Sequence, residues 1–509
     1  MSADIKIIVL VFFLSFSLYA GEKISGIPEV SLPPHSLFGY AVSCDGEFAA
    51  VSAPGETYDN LISAGAVYLY RLKNNEWEFF QKIIPTDPAL MKMFGQSIKL
   101  SGYTLLIGAP EDNIKTGAVY VYKFDGKWNE IKKITSPDKK QFTGFGTSVD
   151  YKNGTALITS IGNQKNISAS GNVYVYNVSD DDFLLDAVVS SPKENNDDLF
   201  GASALIISKT HIVVSSPRAN GSVNNCGIVY SYIKQDSEWE LNQSLYSQKL
   251  ISDGLFGSSI SYSEHRLLIG AMQEEVDSII SGAAYLFHLP EDDKWIFEKK
   301  FTPDNKRNHD YFGLATFINK EILVIGSPKW DIDKLNRNGD MGSADVYSLS
   351  DSGWIAAGKI IPPDGASDDH FGMAIGSFEN TLLIGSRLND NDAFNNGSAY
   401  FYKLDKLFPS LSSKFIPEAF ELYHNFPNPF NALTTIRYDL PINTNVNITV
   451  YDILGKIIIE LVNGEEEAGR KQIIWNGNNA NGIPSSSGVY IYRIKTTNFN
   501  NTKKMILLK

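Results

Sequence analysis

Along most of the chain, apolar residues come in short runs that alternate with small or polar residues, and Gly, Asn, Asp and Pro break them every few positions. One stretch reads FGQSIKLSGYTLLIGAP, then a polar loop, then GAVYVYKFDGKWNEIKKI. A Phe-Gly pair opens a strand of small residues, a short turn leads to the apolar run TLLIG, and Gly117 starts a third strand of alternating small and aromatic residues. A tight turn then leads to Trp128 and a fourth strand. The pattern has the two-residue period of strands and lacks a helical stripe, so it predicts an all-β chain.

The same grammar recurs. Phe-Gly pairs stand at Phe38, Phe94, Phe145, Phe200, Phe256, Phe312 and Phe371. Trp77, Trp239, Trp295 and Trp354 return in the place of Trp128, and Phe183 holds it in the third copy. A four-stranded sheet exposes both faces until a neighbour packs on each, so even repetition predicts a seven-bladed β-propeller over residues 22–404. Small residues of the first strand suit a crowded centre, and the later aromatics suit the wide gaps between blades. After Tyr402 the turn and Trp of a fourth strand are missing. The segment EKISGIPEVSLPPHS, before the first Phe-Gly, resembles the fourth-strand ends QKIIP and GKIIPP. It is predicted to complete the last blade and remove two free edges.

From about Phe420 the repeat gives way to NVNITVYDI, RKQIIWNG and GVYIYRIK, separated by Gly, Asn and Pro turns. These predict a small Ig-like β-sandwich over residues 419–509, with 405–418 as a linker. A formal charge of −13 excludes a nucleic-acid partner, which needs clustered Lys and Arg. At the N-terminus one Lys precedes an apolar stretch from Ile7 to Leu18, with Ala20 and Gly21 suited to cleavage, so residues 1–20 read as a secretory signal peptide. No later segment is apolar enough to span a membrane. Cys44 and Cys226 fall in non-neighbouring blades and read as small buried fillers.

The Phe-Gly pairs, the GAP at Gly108–Pro110 and its variants SAP, GSP and SSP resemble the FG-GAP repeats of bacterial surface proteins and, more distantly, the propeller of integrin α subunits. The C-terminal stretch resembles the type A sorting domain of the type IX secretion system through NFPNPFN at 425–431, YDILGK at 451–456, AGRKQIIWNG at 468–477, SGVYIYRI at 487–494 and the terminal KKMILLK. That second resemblance implies export by a Gram-negative bacterium of the Bacteroidota type. It also implies the type IX machinery as partner, and release or attachment at the outer-membrane surface after processing.

For chemistry, the loops divide by face. First-to-second and third-to-fourth turns, such as KLSGY and KFDGKW, are short. Second-to-third loops are long and varied, as in KWDIDKLNRNGDM and RLNDNDAFNNG, and loops of this kind on a rigid scaffold are where function usually sits. Calcium needs oxygen ligands at alternate positions. Asp331 and Asp333 begin such a register before Leu335 breaks it, and Asp390 and Asp392 before Phe394 does, so no cofactor is required and calcium stays an open alternative. His309 and His370 both precede a Phe-Gly, beside Asp310 and Asp369. These residues either form an acid/base or metal cluster near the channel mouth or are separate polar positions of a repeat. Together with Asp390 and Asp392 they mark a candidate face for a glycan or protein ligand. The sequence has no phosphate loop, zinc-type cysteine spacing or nucleophile elbow. The reading is a secreted, non-enzymatic binding or adhesion protein, with an extracellular carbohydrate-active enzyme or lyase, or a structural envelope module, as alternatives.

Overall fold

A computed structural model describes residues 22–24, 32–73, 76–162, 171–179, 181–193, 198–291, 293–331, 339–390, 393–409, 411, 416–431 and 433–508. The expected signal peptide and the candidate ligands Asp333 and Asp392 lie outside the described residues. Within them the chain is all-β apart from short helical turns such as Asp112–Lys115 and Leu404–Leu407. No helix among them is long and apolar enough to cross a membrane.

Seven four-stranded antiparallel sheets occur among the described residues between 22 and 403. Sheet 1 is built from Val42–Asp45, Phe48–Ala53, Ala66–Lys73 and Glu76–Ile83. Sheets 2 to 6 repeat that order over 97–135, 149–190, 204–245, 256–301 and 315–360. Every residue of the second strands Phe48–Ala53, Thr104–Ala109, Ile322–Ser327 and Thr381–Ser386 is buried. A strand covered on both faces reads as a continuous apolar run, which is why TLLIG and its copies do not alternate.

Each sheet packs on the next through mixed apolar clusters. Phe48, Val67 and Leu69 of sheet 1 share a core with Leu105, Ile107 and Trp128 of sheet 2. Sheet 7 packs back on sheet 1, where Leu383, Ala399 and Phe401 join Val51, Tyr68 and Trp77. The Trp77 indole lies flat on Phe401, with ring centroids 4.8 Å apart. The edge strands thus gain the apolar cover that a lone sheet lacks.

The glycine that opens each third strand ties neighbouring sheets together. Gly117, Gly282, Gly342 and Gly397 form parallel bridges with Phe145, Phe312, Phe371 and Phe38 respectively. At Gly117, φ is +85° and a Cβ would fall 2.0 Å from the carbonyl oxygen of Phe145. Both the backbone conformation and the space demand glycine. Gly117→Ala is therefore expected to destabilise the protein by about 2 kcal/mol or more. The shift in urea midpoint measures this, with Gly126→Ala, a glycine at similar φ but with open space around it, as the comparison.

Sheet 7 takes its fourth strand from the chain's beginning. Glu22–Ile24 pairs antiparallel with Ser398–Lys403, setting Lys23 opposite Tyr400. This short strand brings no Trp to the gap between sheets 6 and 7. The helical turn Leu404–Leu407 and the residues after it fill that gap instead. Leu404, Leu407, Phe408 and Leu411 pack with Ile322, Val346, Ile360 and Tyr402. The segment expected as a linker therefore begins as an apolar plug. Phe408 also explains Gly358, since a Cβ there would meet the Phe408 ring at 2.6 Å.

The C-terminal stretch forms two further sheets. One has three strands, Glu421–Leu422, Thr434–Leu440 and Gly469–Trp475. The other has five, with Phe430–Asn431 lying parallel to Asn500–Leu508 at its edge. Ile436 and Tyr438 from the first meet Ile448, Tyr492 and Met505 from the second around the buried Trp475. Cys44 and Cys226 are free thiols, Cys226 fully buried.

Candidate functional site

Antiparallel strands place the second-to-third loops and the connections between sheets on one face. There, described loops hydrogen-bond to the connection entering the next sheet. Met91 N donates to Ile62 O at 2.8 Å, His309 N to Ile280 O at 2.6 Å, Asp368 N to Gly339 O at 2.9 Å and His35 N to Phe394 O at 2.9 Å. The residues one and three places before each Phe repeatedly adopt left-handed backbone, as at Met91 and Met93, His309 and Tyr311, and Asp368 and His370. The residue between them turns inward, and Ser36, Lys92, Thr143, Asp198, Asp310 and Asp369 are all buried at that position.

Asp310 and Asp369 are therefore equivalent, whereas His309 stands three places before its Phe and His370 only one. The structure does not join the two histidines. His309 is exposed at the seam between sheets 5 and 6, beside Tyr311. His370 lies at the seam between sheets 6 and 7. Each aspartate's carbonyl accepts from its own second-to-third loop, Asp310 from Lys329 N at 3.2 Å and Asp369 from Leu388 N at 3.4 Å. The Asp369 carboxylate takes 2.8 Å hydrogen bonds from Ala366 N and Asn389 Nδ2, which makes it an internal brace. The position matching Asn389 in sheet 6 is Trp330, so Asp310 has no such amide and its Oδ2 is buried without a hydrogen-bond partner. Burial pushes its carboxyl up to about 7, although Arg307 and Lys359 pull the other way. Asp390 Oδ1 accepts from Asn395 N at 2.6 Å and shapes its own loop.

The grouping at the seam of sheets 6 and 7 is Asp340, Asp368 and His370, whose potential ligand atoms lie within 4.8 Å of one another. His370 Nε2 is 3.7 Å from Asp340 Oδ2, and its Nδ1 is buried without a partner. Burial, with Lys329 nearby, lowers the His370 pKa and favours the neutral ring. Lys329 Nζ also pairs with Asp340 at 2.6 Å, so a cation is already present as an ammonium. Asp331 stands close by, 3.9 Å from Arg307, and burial raises its carboxyl. Of the expected metal ligands, Asp331 is near this grouping and Asp390 is tied into its own turn. Asp340, Asp368 and Lys329 were not singled out from sequence. A count back from each Phe, with Asp340 on the opposing loop, was the signal that could have found them.

At the preceding seam a cleft of about 480 Å³ is lined by Asp277, Ile279, Asp304, Asn305, Lys306 and Arg307. Lys306 pairs with Asp277 at 3.1 Å across it. Elsewhere the face carries exposed apolar side chains at Ile62, Leu90, Met91, Ile114 and Phe394.

Beneath these loops lies a repeated clip that the sequence did not reveal. The tyrosine hydroxyls of Tyr68 and Tyr285 donate to Glu56 and Glu274 at 2.8 and 2.5 Å, and Lys82 and Lys300 pair with the same carboxylates. Tyr120 and Lys133 do the same with Asp112 in sheet 2. The recurring tyrosines are buried, as expected of core residues. In sheet 6, Asp345 replaces the tyrosine and binds Lys359 at 2.6 Å, while Trp330 replaces the loop carboxylate. Neutralising these charges in place holds the loop bases still.

The short-turn face is occupied. Tyr103, in the turn of sheet 2, stacks on Phe426 at 4.4 Å with planes 5° apart. Thr435 Oγ1 donates to Glu47 of sheet 1 at 3.0 Å. The C-terminal unit thus sits on the face opposite the long loops.

Residues 77–122, 128–176 and 354–402 match the FG-GAP repeat, and residues 424–508 match the secretion system C-terminal sorting domain. No curated protein matches the sequence. Among solved structures, the chain is similar to PorZ, an essential bacterial surface component of the type-IX secretion system of Porphyromonas gingivalis. The identity is 12% and the TM-score 0.34, with 92% of this chain and 65% of that chain covered. The chain thus spans somewhat less than two thirds of the length of that protein. It is also similar to FlgD from P. aeruginosa, at 24% identity and a TM-score of 0.13, covering 14% of this chain and 58% of that one. The FG-GAP repeats and the type IX sorting domain mark a secreted surface protein.

Proposed function

We propose that this protein is a non-enzymatic binding or adhesion module of the cell surface. On this reading the seven sheets are the blades of an integrin-α-like propeller, and residues 419–509 are an Ig-like sorting sandwich. Residues 1–20 are a leader, and processing within 405–418 yields a released or surface-attached form. The observation that carries the reading is that the sorting unit lies against the short-turn face, through Tyr103 and Glu47, and leaves the long loops open. A glycan or protein ligand would use those loops, with the charged cleft at Asp277 and Arg307 and the apolar side chains at Ile62, Met91 and Phe394 as its contacts.

A glycan and protein array probed with the full chain, with and without calcium, tests this. The expected result is a discrete ligand class whose binding falls at least about tenfold in an Arg307→Ala variant. Binding that is absent throughout, or unchanged by substitutions in the long loops, would leave a structural envelope role. A second reading, an extracellular carbohydrate-active enzyme or lyase, is favoured by the close grouping of Asp340, Asp368 and His370. Turnover of a polysaccharide that disappears in His370→Ala would establish it.

A further inference from the structure

Tyr103 is more than a turn residue. Its ring lies between two others, stacked on Phe124 of its own sheet at 5.4 Å and on Phe426 of the C-terminal unit at 4.4 Å. Its hydroxyl donates to Glu47 Oε1 at 2.7 Å. Glu47 is only 1% exposed, and its other oxygen accepts from Arg71 Nε at 2.6 Å. Thr435 Oγ1 supplies a further donor from the C-terminal unit. A carboxylate this buried needs its partners, and one of them comes from the other unit.

The contact extends to both sides. The Arg437 guanidinium lies over Gly46, where a Cβ would come 2.3 Å from Nη2. Glu379, in the matching turn of sheet 7, feels Arg470 and Arg437 as attractive charges against its burial. Turns of sheets 1, 2 and 7 therefore meet the C-terminal unit with an aromatic ring and two carboxylates, opposite an aromatic ring, a hydroxyl and two arginines. Phe426 lies within the NFPNPFN motif and is 51% exposed, with Tyr103 against one face of its ring.

We propose that the short-turn face of sheets 1, 2 and 7 is a docking site for this chain's own C-terminal unit. The unit is held in fixed register, and a cut between the two parts leaves them associated. Removal of the sorting unit then requires displacement as well as cleavage, and the emptied face presents an aromatic-acidic patch with a matched preference for an aromatic-basic segment.

The test uses the full chain with a specific protease site placed within residues 412–415. After cutting, both fragments should co-elute on size exclusion at micromolar concentration. Phe426→Ala and, independently, Tyr103→Ala should increase fragment dissociation by about tenfold or more. The melting profile of the uncut Phe426→Ala variant should remain that of the parent, since the Phe426 ring is half exposed. Phe426 is outside the Trp475 core, so its variant keeps the test valid if Tyr103→Ala disturbs sheet 2. Fragments that separate in the parent, or that stay together equally in both variants, would overturn the proposal.

Discussion

Replacing Asp310 with Asn is expected to stabilise the protein at pH 8 and to leave it unchanged at pH 4. The Asp310 carboxyl is 2% exposed, lacks the amide that braces Asp369, and is pushed up to about 7. Its unfolded value is near 3.9, so between about pH 4 and 7 the folded state binds more protons than the unfolded one. Stability from the neutral carboxyl is complete below about pH 4 and is lost as pH rises through 7. Over that window the loss is on the order of a few kcal/mol, at about 1.4 kcal/mol for each unit separating the two values. Asparagine keeps the shape and carries no charge, so its advantage should grow with pH. Thermal melts of parent and Asp310→Asn at pH 4, 6 and 8 measure this, and a constant difference across the range would show that Asp310 does not titrate in the window.

Phe408→Ala is expected to cost about 3 kcal/mol, the order found for buried large-to-small changes. The ring fills the gap between sheets 6 and 7 with Leu404, Leu407 and Leu411, over the bare backbone of Gly358. Among the described residues this gap receives no fourth-strand Trp or Phe, and Phe408 takes that place beside Phe371, Tyr400 and Tyr402. Urea unfolding of Phe408→Ala against Lys406→Ala separates a plug from a spacer. An unchanged midpoint in the first would make residues 404–411 a simple connection. The outcome also fixes where this chain can be shortened, because a boundary at residue 404 would remove the plug with the C-terminal unit.

Much of the fold was legible because repetition amplifies weak local signals. One Phe-Gly pair means little, but seven at even spacing, each followed by a buried apolar run, prescribe one sheet each. The N-terminal segment could be matched to fourth-strand ends by its text, and Glu22–Ile24 does pair at the edge of sheet 7. The plug was not legible, since LDKLFPSL has neither strand alternation nor the missing Trp, and only the shape of the gap gives it a partner. Nor was the site. His309 and His370 look alike in the text, but a difference of two places relative to Phe312 and Phe371 sends them to different surroundings. The Asp340–Asp368–His370 grouping is assembled across a seam between sheets, and Tyr103 meets Phe426 across hundreds of residues. Contacts of that kind leave no periodicity in either segment.

The pairing of Glu22–Ile24 with Ser398–Lys403 sets an order of events in folding. Glu22–Ile24 waits for Ser398–Lys403, so sheet 7 stays open until nearly the whole seven-sheet body is available. Local hairpins within sheets 1 to 6 can form as their residues appear, but the final closure is a long-range step. Until then two sheet edges are exposed to other chains, and a chain halted midway is prone to aggregate. The molecule therefore matures late and as a unit.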